Sequence, residues 1–351
     1  MNHNKTIAIG MSGGVDSSVT AYLLQKAGHN ILGITFSFFA PCGGVDNQKE
    51  AKAVADMLGV PHHSHDLSQT FWEKVIDPFV LAYSKGQTPN PCYLCNAGVK
   101  FSPQGLGDTG ATHFATGHYA KVTYDAGSDR YLLQKGKHLP KDQSYFLAGL
   151  SQEQLKSAFF PLGNFSKEQV REMAQEAKLP TATRKDSQDI CFIPDGDYVN
   201  FIQKQTKKSY PKGKFLSVSG ENLGEHQGII SYTVGQRRGL GVSWTEKLYV
   251  KEVCPKQNAV VLATDKELYA DTLYARNLNF IATDHFSGAV ACEGKIRSRH
   301  QGEAATVEQI EEDLLKITFK QPQRALTPGQ AVVLYDGETV LASGEIQLSQ
   351  E

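Results

Sequence analysis

Ser12-Gly13-Gly14-Val15-Asp16-Ser17, set directly behind the apolar run Ile7-Ala8-Ile9-Gly10-Met11, constrains this chain more than any other stretch. The run reads as a strand and the two glycines as a tight turn. Val15, Val19, Tyr22 and Leu23 then recur at helical spacing, with Gly28 placed to stop the helix. A turn without side chains lets a ligand approach the backbone, and the unpaired N–H groups of the first helical turn favour an anion. With the hydroxyls of Ser12, Ser17 and Ser18 those donors could hold pyrophosphate, and Asp16 could orient Mg2+ or a ligand hydroxyl. The chain has no GxxxxGK[ST], which disfavours a Walker-type GTPase or motor. Gly10-Met11-Ser12-Gly13-Gly14 also fits GxSxG, the nucleophile elbow of hydrolases. The oxyanion loop of such an elbow normally comes from an earlier strand and loop, and only a few residues precede this strand, which speaks against the hydrolase reading.

Strand and helix signals alternate beyond the loop. Asn30 to Ala40 reads as a strand, and Asp46 to Leu58 as a helix with Asn47 and Glu50 spaced as a capping box. His62 to Leu67 reads as a strand, Phe71 to Tyr83 as a helix, and His113 to Thr116 as a strand ending at Gly117-His118. Ser166 to Lys178 is a helix with Ser166 and Gln169 in capping-box spacing. The alternation predicts an α/β, doubly wound parallel sheet, with ligands at the carboxyl ends of its strands. After residue 205 short alternating stretches such as Leu248 to Val253 predict mainly β structure, with a further division near residue 275. The expected divisions are therefore 1–205, 206–274 and 275–351, and 351 residues suffice for three cores.

Six cysteines lie in a chain with no secretory segment and no membrane-length apolar run. The expectation is a cytoplasmic protein without a membrane partner, using thiols for chemistry or metal before structural disulfides. A net charge of −1 neither requires nor excludes a nucleic-acid partner. Asn90-Pro91-Cys92-Tyr93-Leu94-Cys95-Asn96 is a CxxC bracketed by turn residues, which alone could be an ordinary loop with two incidental thiols. Cys191, in the apolar setting Ile190-Cys191-Phe192-Ile193, reads by itself as a core thiol.

The SGGxDS form resembles the PP-loop of ATP pyrophosphatases, which split ATP between its α and β phosphates. Read together, SGGVDS at 12–17, TPNPCYLCN at 88–96, ATGHYA at 115–120, KDQSYFL at 141–147, KDSQDICFI at 185–193, YTVGQRRGLGVS at 232–243 and GQAVVLYDG at 329–337 resemble the tRNA-specific 2-thiouridylases along almost the whole chain. The resemblance implies a PP-loop domain (adenine nucleotide alpha hydrolase-like), a small central domain and a C-terminal β-barrel-like domain. It implies ATP-dependent replacement of the wobble uridine's 2-oxygen by sulfur, the oxygen being adenylated first because it is a poor leaving group. It further implies a flipped-out base, tRNA and a sulfur-donor protein (a persulfide carrier or a cysteine desulfurase) as partners, and ATP with Mg2+. Cys191 would accept a persulfide and Cys95 would be the second catalytic thiol, a Cys95–Cys191 disulfide remaining to be reduced.

Residue by residue, Gly10, Met11, Ser12, Gly13, Gly14, Val15, Asp16, Ser17, Phe36 and Gly117 match nucleotide-binding positions. Asn90, Pro91, Cys92, His118, Lys141, Asp142, Gln143, Arg297, Ser298 and Gln330 match positions proposed to contact tRNA. Taken without the resemblance, His118 reads as a buried structural histidine, Asp142 as a turn cap and Arg297 as part of a solvated face. The family pattern is NPDxxCN, and this chain has Cys92 where the aspartate stands, so an acid–base carboxylate there is in doubt. Three thiols, Cys92, Cys95 and Cys191, could instead hold a [4Fe–4S] cluster with one open iron. Two other classes stay open: a PP-loop AMP transferase acting on a small molecule, and an RNA-binding or iron–sulfur scaffold. Lys204, Lys207, Lys208, Lys212, Lys214, Arg237 and Arg238 could contact phosphates or form a solvated face.

Overall fold

The computed structural model describes residues 6–38, 45–184 and 190–349, with backbone alone for Val45 and Asp46. Cys42, residues 185–189 of the KDSQDICFI segment and the end of the strand expected to reach Ala40 lie outside the described residues.

The first half carries strands β1 (Thr6–Gly10), β2 (Asn30–Ser37), β3 (His62–Asp66), β4 (His113–Ala115), β5 (Ala120–Asp125), β6 (Arg130–Lys135) and β7 (Ala158–Phe159). Five of them form a parallel sheet in the order β3-β2-β1-β4-β7. Order reverses between β1 and β4, so the segments leaving those two strands open on the crevice where doubly wound sheets bind ligands. Apolar side chains cover both faces of this sheet, as parallel pairing demands. Ile7, Ile9 and Met11 pack with Leu24, Ala51 and Val54 on one face. Ala8, Leu32, Ile34 and Phe114 pack on the other with Tyr145, Leu147, Val333 and Tyr335.

β8 (Gly213–Ser217), β9 (Asn222–His226), β10 (Tyr249–Cys254) and β11 (Ala259–Ala263) form a second sheet in the order β10-β11-β8-β9. Six antiparallel strands follow: β12 (Tyr269–Phe280), β13 (Val290–Lys295), β14 (Glu303–Glu311), β15 (Leu314–Arg324), β16 (Ala331–Asp336) and β17 (Thr339–Gln347). β12 pairs with both β15 and β17, which closes them into a barrel and removes the exposed edges. Its first strand runs across position 275. The β5–β6 hairpin reaches β17 through Gln134 and Thr339.

Three expected elements differ in detail. The helix Val45–Leu58 starts before Asn47, so Asn47 lies in its first turn and its side chain accepts a bond from Arg184. The stretch expected as one helix over 71–83 is helical but alternates, α over Ser68–Phe71, π over Trp72–Ile76 and α over Asp77–Ser84. The CxxC, expected in a loop, lies inside the helix Pro91–Cys95, which runs on as a π-turn over Asn96–Lys100. The Ser166–Gln169 capping box is formed in both directions.

Candidate active site

The glycine turn after β1 has the geometry of an anion site. Gly13 takes φ +71°, and Gly14 caps the helix Val15–Lys26 with no side chain bonding to its first-turn N–H groups. The first helical bond is Ser18 N–H to Gly14 O, which leaves the amides of Val15, Asp16 and Ser17 directed into the turn. Ser12, exposed, lies beside the Ser17 hydroxyl, and the Ser12 N–H donates to Ser17 Oγ at 3.2 Å. The Ser18 hydroxyl donates to Gly14 O at 2.8 Å and accepts from Thr181 in a fully buried position, so it is not a phosphate ligand. Asp16 is likewise committed: Lys167 Nζ donates to its two oxygens at 2.8 and 2.9 Å, and the Tyr119 hydroxyl donates at 2.8 Å. As placed, Asp16 does not fit a Mg2+ ligand; it fastens the loop to the helix Lys167–Glu176. Arg184 closes the opposite side, donating to Gly13 O at 2.9 Å and pairing with Glu50.

That clamp carries a stability prediction. Removing one partner of a fully buried pair costs about 3–5 kcal/mol. Lys167 is 7% and Asp16 32% exposed at the side chain, so solvent screens part of the effect and the expected loss for Lys167→Met is about 2 kcal/mol. A urea melt checks it, and a midpoint within error of the parent would show that the pair does not fasten the loop.

Gly117, leaving β4, touches the loop from the other side. A Cβ there would lie 2.8 Å from the Asp16 carbonyl carbon and 2.9 Å from Ser17 N, so only glycine allows the two segments to meet. Its neighbour His118 bonds Thr116 through Nδ1 at 2.7 Å. Burial, with Lys100 as a second cause, pushes His118 down to about 3, so the ring is neutral throughout the physiological range. Phe36, at the end of β2, meets Phe38 and Phe114 in tilted ring contacts, an apolar wall beside the same crevice.

The thiols converge behind His118. Asn90 caps the helix Pro91–Cys95 by accepting the Tyr93 N–H, and the barrel holds this segment from outside. Gln330 donates to Thr88 O at 2.8 Å and Pro89 O at 3.1 Å, and the Tyr93 hydroxyl meets Ser343 Oγ at 2.8 Å. Cys95 is buried and Cys92 is exposed on one side. Cys191 is exposed, correcting its reading as a core thiol. The apolar anchor of that segment is the adjacent Phe192, buried against Phe71, Phe79 and Phe201. Burial pushes the Cys95 thiol up to about 12 and raises Cys92, in each case opposed by the positive Lys100, while Cys191 adds a smaller rise to both. Lys100 is the residue that sequence reasoning missed. It has no place in the quoted motifs and stands five residues after Cys95, on the opposite side of a helix of 3.6 residues per turn.

Among the described residues no group of three or more His, Cys, Asp and Glu side chains is placed to hold a metal ion. The three thiols, as placed, do not fit a cluster site. Cys254 and Cys292, both half-buried and pushed up to about 11 by burial, lie away from the site in β10 and β13.

The remaining candidates divide. Asp142 caps a turn, accepting Gly136 N–H and Ser144 N–H through Oδ1 and the Ser144 hydroxyl through Oδ2. Gln143 exchanges bonds with the Tyr119 backbone, and Lys141 ends a short 3-10 turn beside it. Arg297 and Ser298 are exposed on the barrel, and Arg297 acts electrostatically on Tyr145, whose hydroxyl also faces Asn90. The lysines at 204, 207, 208, 212 and 214 and Arg237 and Arg238 are all exposed to solvent. No described helix is long and apolar enough to cross a membrane.

Family models described as tRNA methyl transferase HUP domain, tRNA methyl transferase PRC-barrel domain and aminomethyltransferase beta-barrel domain match residues 5–195, 199–264 and 270–346. A tRNA-specific 2-thiouridylase of Thermoanaerobacter pseudethanolicus is 45% identical over 360 residues, covering 99% of each chain. Proteins of the same name from Clostridioides difficile, 40% identical with 99% of each chain covered, and Acetivibrio thermocellus, 42% identical with 98% of this chain and 99% of the other covered, are similar along the same length.

Proposed function

Since the chain belongs to the tRNA-specific 2-thiouridylase family, whose members thiolate a tRNA uridine at the expense of ATP, we propose that it replaces the 2-oxygen of the wobble uridine through adenylation at residues 10–17 and sulfur transfer through Cys191 and Cys95. What supports this reading is a chain of neighbours: Cys95 and Cys191 bear electrostatically on Lys100, Lys100 on His118, and the adjoining Gly117 packs on Asp16 and Ser17, which favours one crevice for the thiols and the nucleotide loop. The methyl-transfer wording of the family models has no counterpart in these groups, because methyl transfer requires neither a pyrophosphate-binding turn nor paired thiols.

The steps follow from the side chains. ATP phosphates would lie on the amides of residues 15–17 with the exposed Ser12 hydroxyl, the buried Ser17 hydroxyl being bonded to Gly14 O, with Phe36 and the backbone of Gly10 and Met11 toward the adenosine. Mg2+ would arrive with the nucleotide, since Asp16 is bound to Lys167. Uridine O2 attacks the α-phosphorus and pyrophosphate leaves. Cys191, exposed, is the thiol that a sulfur-donor protein can reach, while buried Cys95 is reserved for an internal attack. Attack of the Cys95 thiolate on Cys191 Sγ breaks the persulfide bond, releases hydrosulfide toward C2 and oxidises the two cysteines to a disulfide. Hydrosulfide displaces AMP from C2, and an external thiol reduces the disulfide. Asn90, Pro91 and Cys92 would border the flipped base, with His118 as a neutral hydrogen-bonding group. Lys141, Asp142, Gln143, Arg297, Ser298 and Gln330 would support or contact the tRNA.

The test is nucleoside mass analysis of unmodified tRNA after incubation with ATP, a persulfide donor and verified iron-free protein. Formation of 2-thiouridine is expected. Failure there, with product after anaerobic iron–sulfur reconstitution, would replace the persulfide route by a cluster; failure in both states would count against thiolation. In the same assay Cys92→Ser is expected to keep activity within about threefold, because Cys92 is neither acceptor nor attacking thiol. A loss of about 10²-fold or more would make Cys92 a third participant.

A further inference from the structure

Lys100 is a half-buried ammonium on the side of its helix that faces the thiols. The groups that bear on its charge are the thiols Cys92 and Cys95 of its own helix and Cys191 from the opposite segment, and His118 is the further titratable group facing it. Among the described residues it makes no salt bridge and no hydrogen bond, and no carboxylate acts on it. An ammonium partly withdrawn from water, with no carboxylate acting on it among the described residues, favours another anion as its partner.

The backbone is built to bring it there. In a regular α-helix residues five apart point about 140° away from each other. Here the segment Asn96–Lys100 is a π-turn, with Phe101 N–H bonding Asn96 O at 3.1 Å, and the wider turn carries residue i+5 back toward residue i, so that Lys100 comes over Cys95. The irregular turn is supported from outside. Gln154 Nε2 donates to Ala97 O at 2.7 Å and Phe101 O at 3.1 Å, from a helix whose own start is fixed by the Ser151–Gln154 capping box.

We propose that Lys100 is the cation that holds the anionic sulfur during transfer between Cys191 and Cys95, and that the π-turn serves to place it. The proposal rests on the sulfur route given above. Lys100 makes and breaks no bond. When the Cys95 thiolate attacks Cys191 Sγ, one S–S bond forms, the persulfide S–S bond breaks, and its electron pair leaves on the terminal sulfur as hydrosulfide. The negative charge thus moves from one sulfur to another within reach of a single ammonium, and His118, being neutral, does not compete for it.

The experiment compares the full chain with Lys100→Met and Lys100→Arg by the rate of iodoacetamide alkylation at Cys95, mapped by peptide mass analysis from pH 7 to 10 without tRNA or ATP. Lys100→Met is expected to slow Cys95 alkylation about tenfold at pH 8 and move its profile to higher pH, since one unit in a thiol pKa is a factor of ten. Lys100→Arg is expected to restore most of the rate. The melting temperature of Lys100→Met is expected to stay close to that of the parent, because a half-buried charge without an ion-pair partner contributes little to stability. An unchanged alkylation profile, or a fall in melting temperature that accounts for the change, would overturn the proposal. Thiolation by Cys191→Ser at the parental rate would overturn the sulfur route instead, so the two failures are separable.

Discussion

Gly117→Ala is expected to abolish ATP-dependent thiolation while leaving the barrel and the central sheet folded. The added methyl group would stand 2.8 Å from the Asp16 carbonyl carbon and Cβ and 2.9 Å from Ser17 N, distances no real Cβ sustains. None of these atoms is the end of a flexible side chain. Asp16 is held by Lys167 and Tyr119, so relief must come from moving the first helical turn as a unit or from pushing β4 away from β1. Either shift carries away the Ser17 amide, one of the donors proposed to hold the ATP phosphates. Overpacking of this kind costs about 1–3 kcal/mol of stability, which a domain with this sheet core survives. Misplacement of a positioning group by about 1 Å costs about 10²-fold or more in rate. The check is tRNA-dependent release of pyrophosphate from ATP alongside a thermal melt. Pyrophosphate release within a few fold of the parent would mean that the contact between Gly117 and the loop is not part of the nucleotide site.

What the sequence discloses follows the range of the forces involved. The turn at residues 12–17, the capping box at Ser166 and the parallel sheet depend on residues near in sequence or on simple period, and they appear as expected. Asp16 shows the limit: its free carboxylate looked fit for Mg2+, yet Lys167, in a separate helix, takes both oxygens. The Ser18 hydroxyl turns inward for the same reason of long-range packing, with Thr181 completing it. Gln330, matched to a tRNA contact, has its amide on the backbone of Thr88 and Pro89, which ties the barrel to the thiol segment. Cys191 looked apolar because its neighbours are; it stands in a turn closed by Ile193 N–H on Ile190 O, which buries Phe192 and Ile193 and leaves the thiol exposed. Lys100 was hidden by periodicity itself. A reading at 3.6 residues per turn sets it apart from Cys95, and nothing in Asn96-Ala97-Gly98-Val99 announces the π-turn that joins them.

Cys95→Ser is expected to lower thiolation by more than about 10³-fold, with pyrophosphate release intact. A serine hydroxyl is far too weakly acidic to attack a persulfide sulfur, and the only other thiol of that helix, Cys92, lies one turn earlier and open to solvent. Sulfur delivered to Cys191 would then have no attacking partner. Mass analysis of the Cys191 peptide from this variant is therefore expected to show an accumulated extra sulfur, which separates loss of transfer from loss of delivery. The pH dependence follows from burial, which pushes the Cys95 thiol up to about 12 against the opposing charge of Lys100. Below that value the thiolate fraction grows as protons are removed, so the single-turnover rate of sulfur transfer rises about tenfold per unit between pH 7 and 9. The profile should be read from a pre-formed Cys191 persulfide with adenylated tRNA supplied in excess, so that delivery and adenylation do not limit it. A rate flat over that range would place thiolate formation outside the limiting step, and product formation by Cys95→Ser without the accumulated persulfide would remove Cys95 from the transfer altogether.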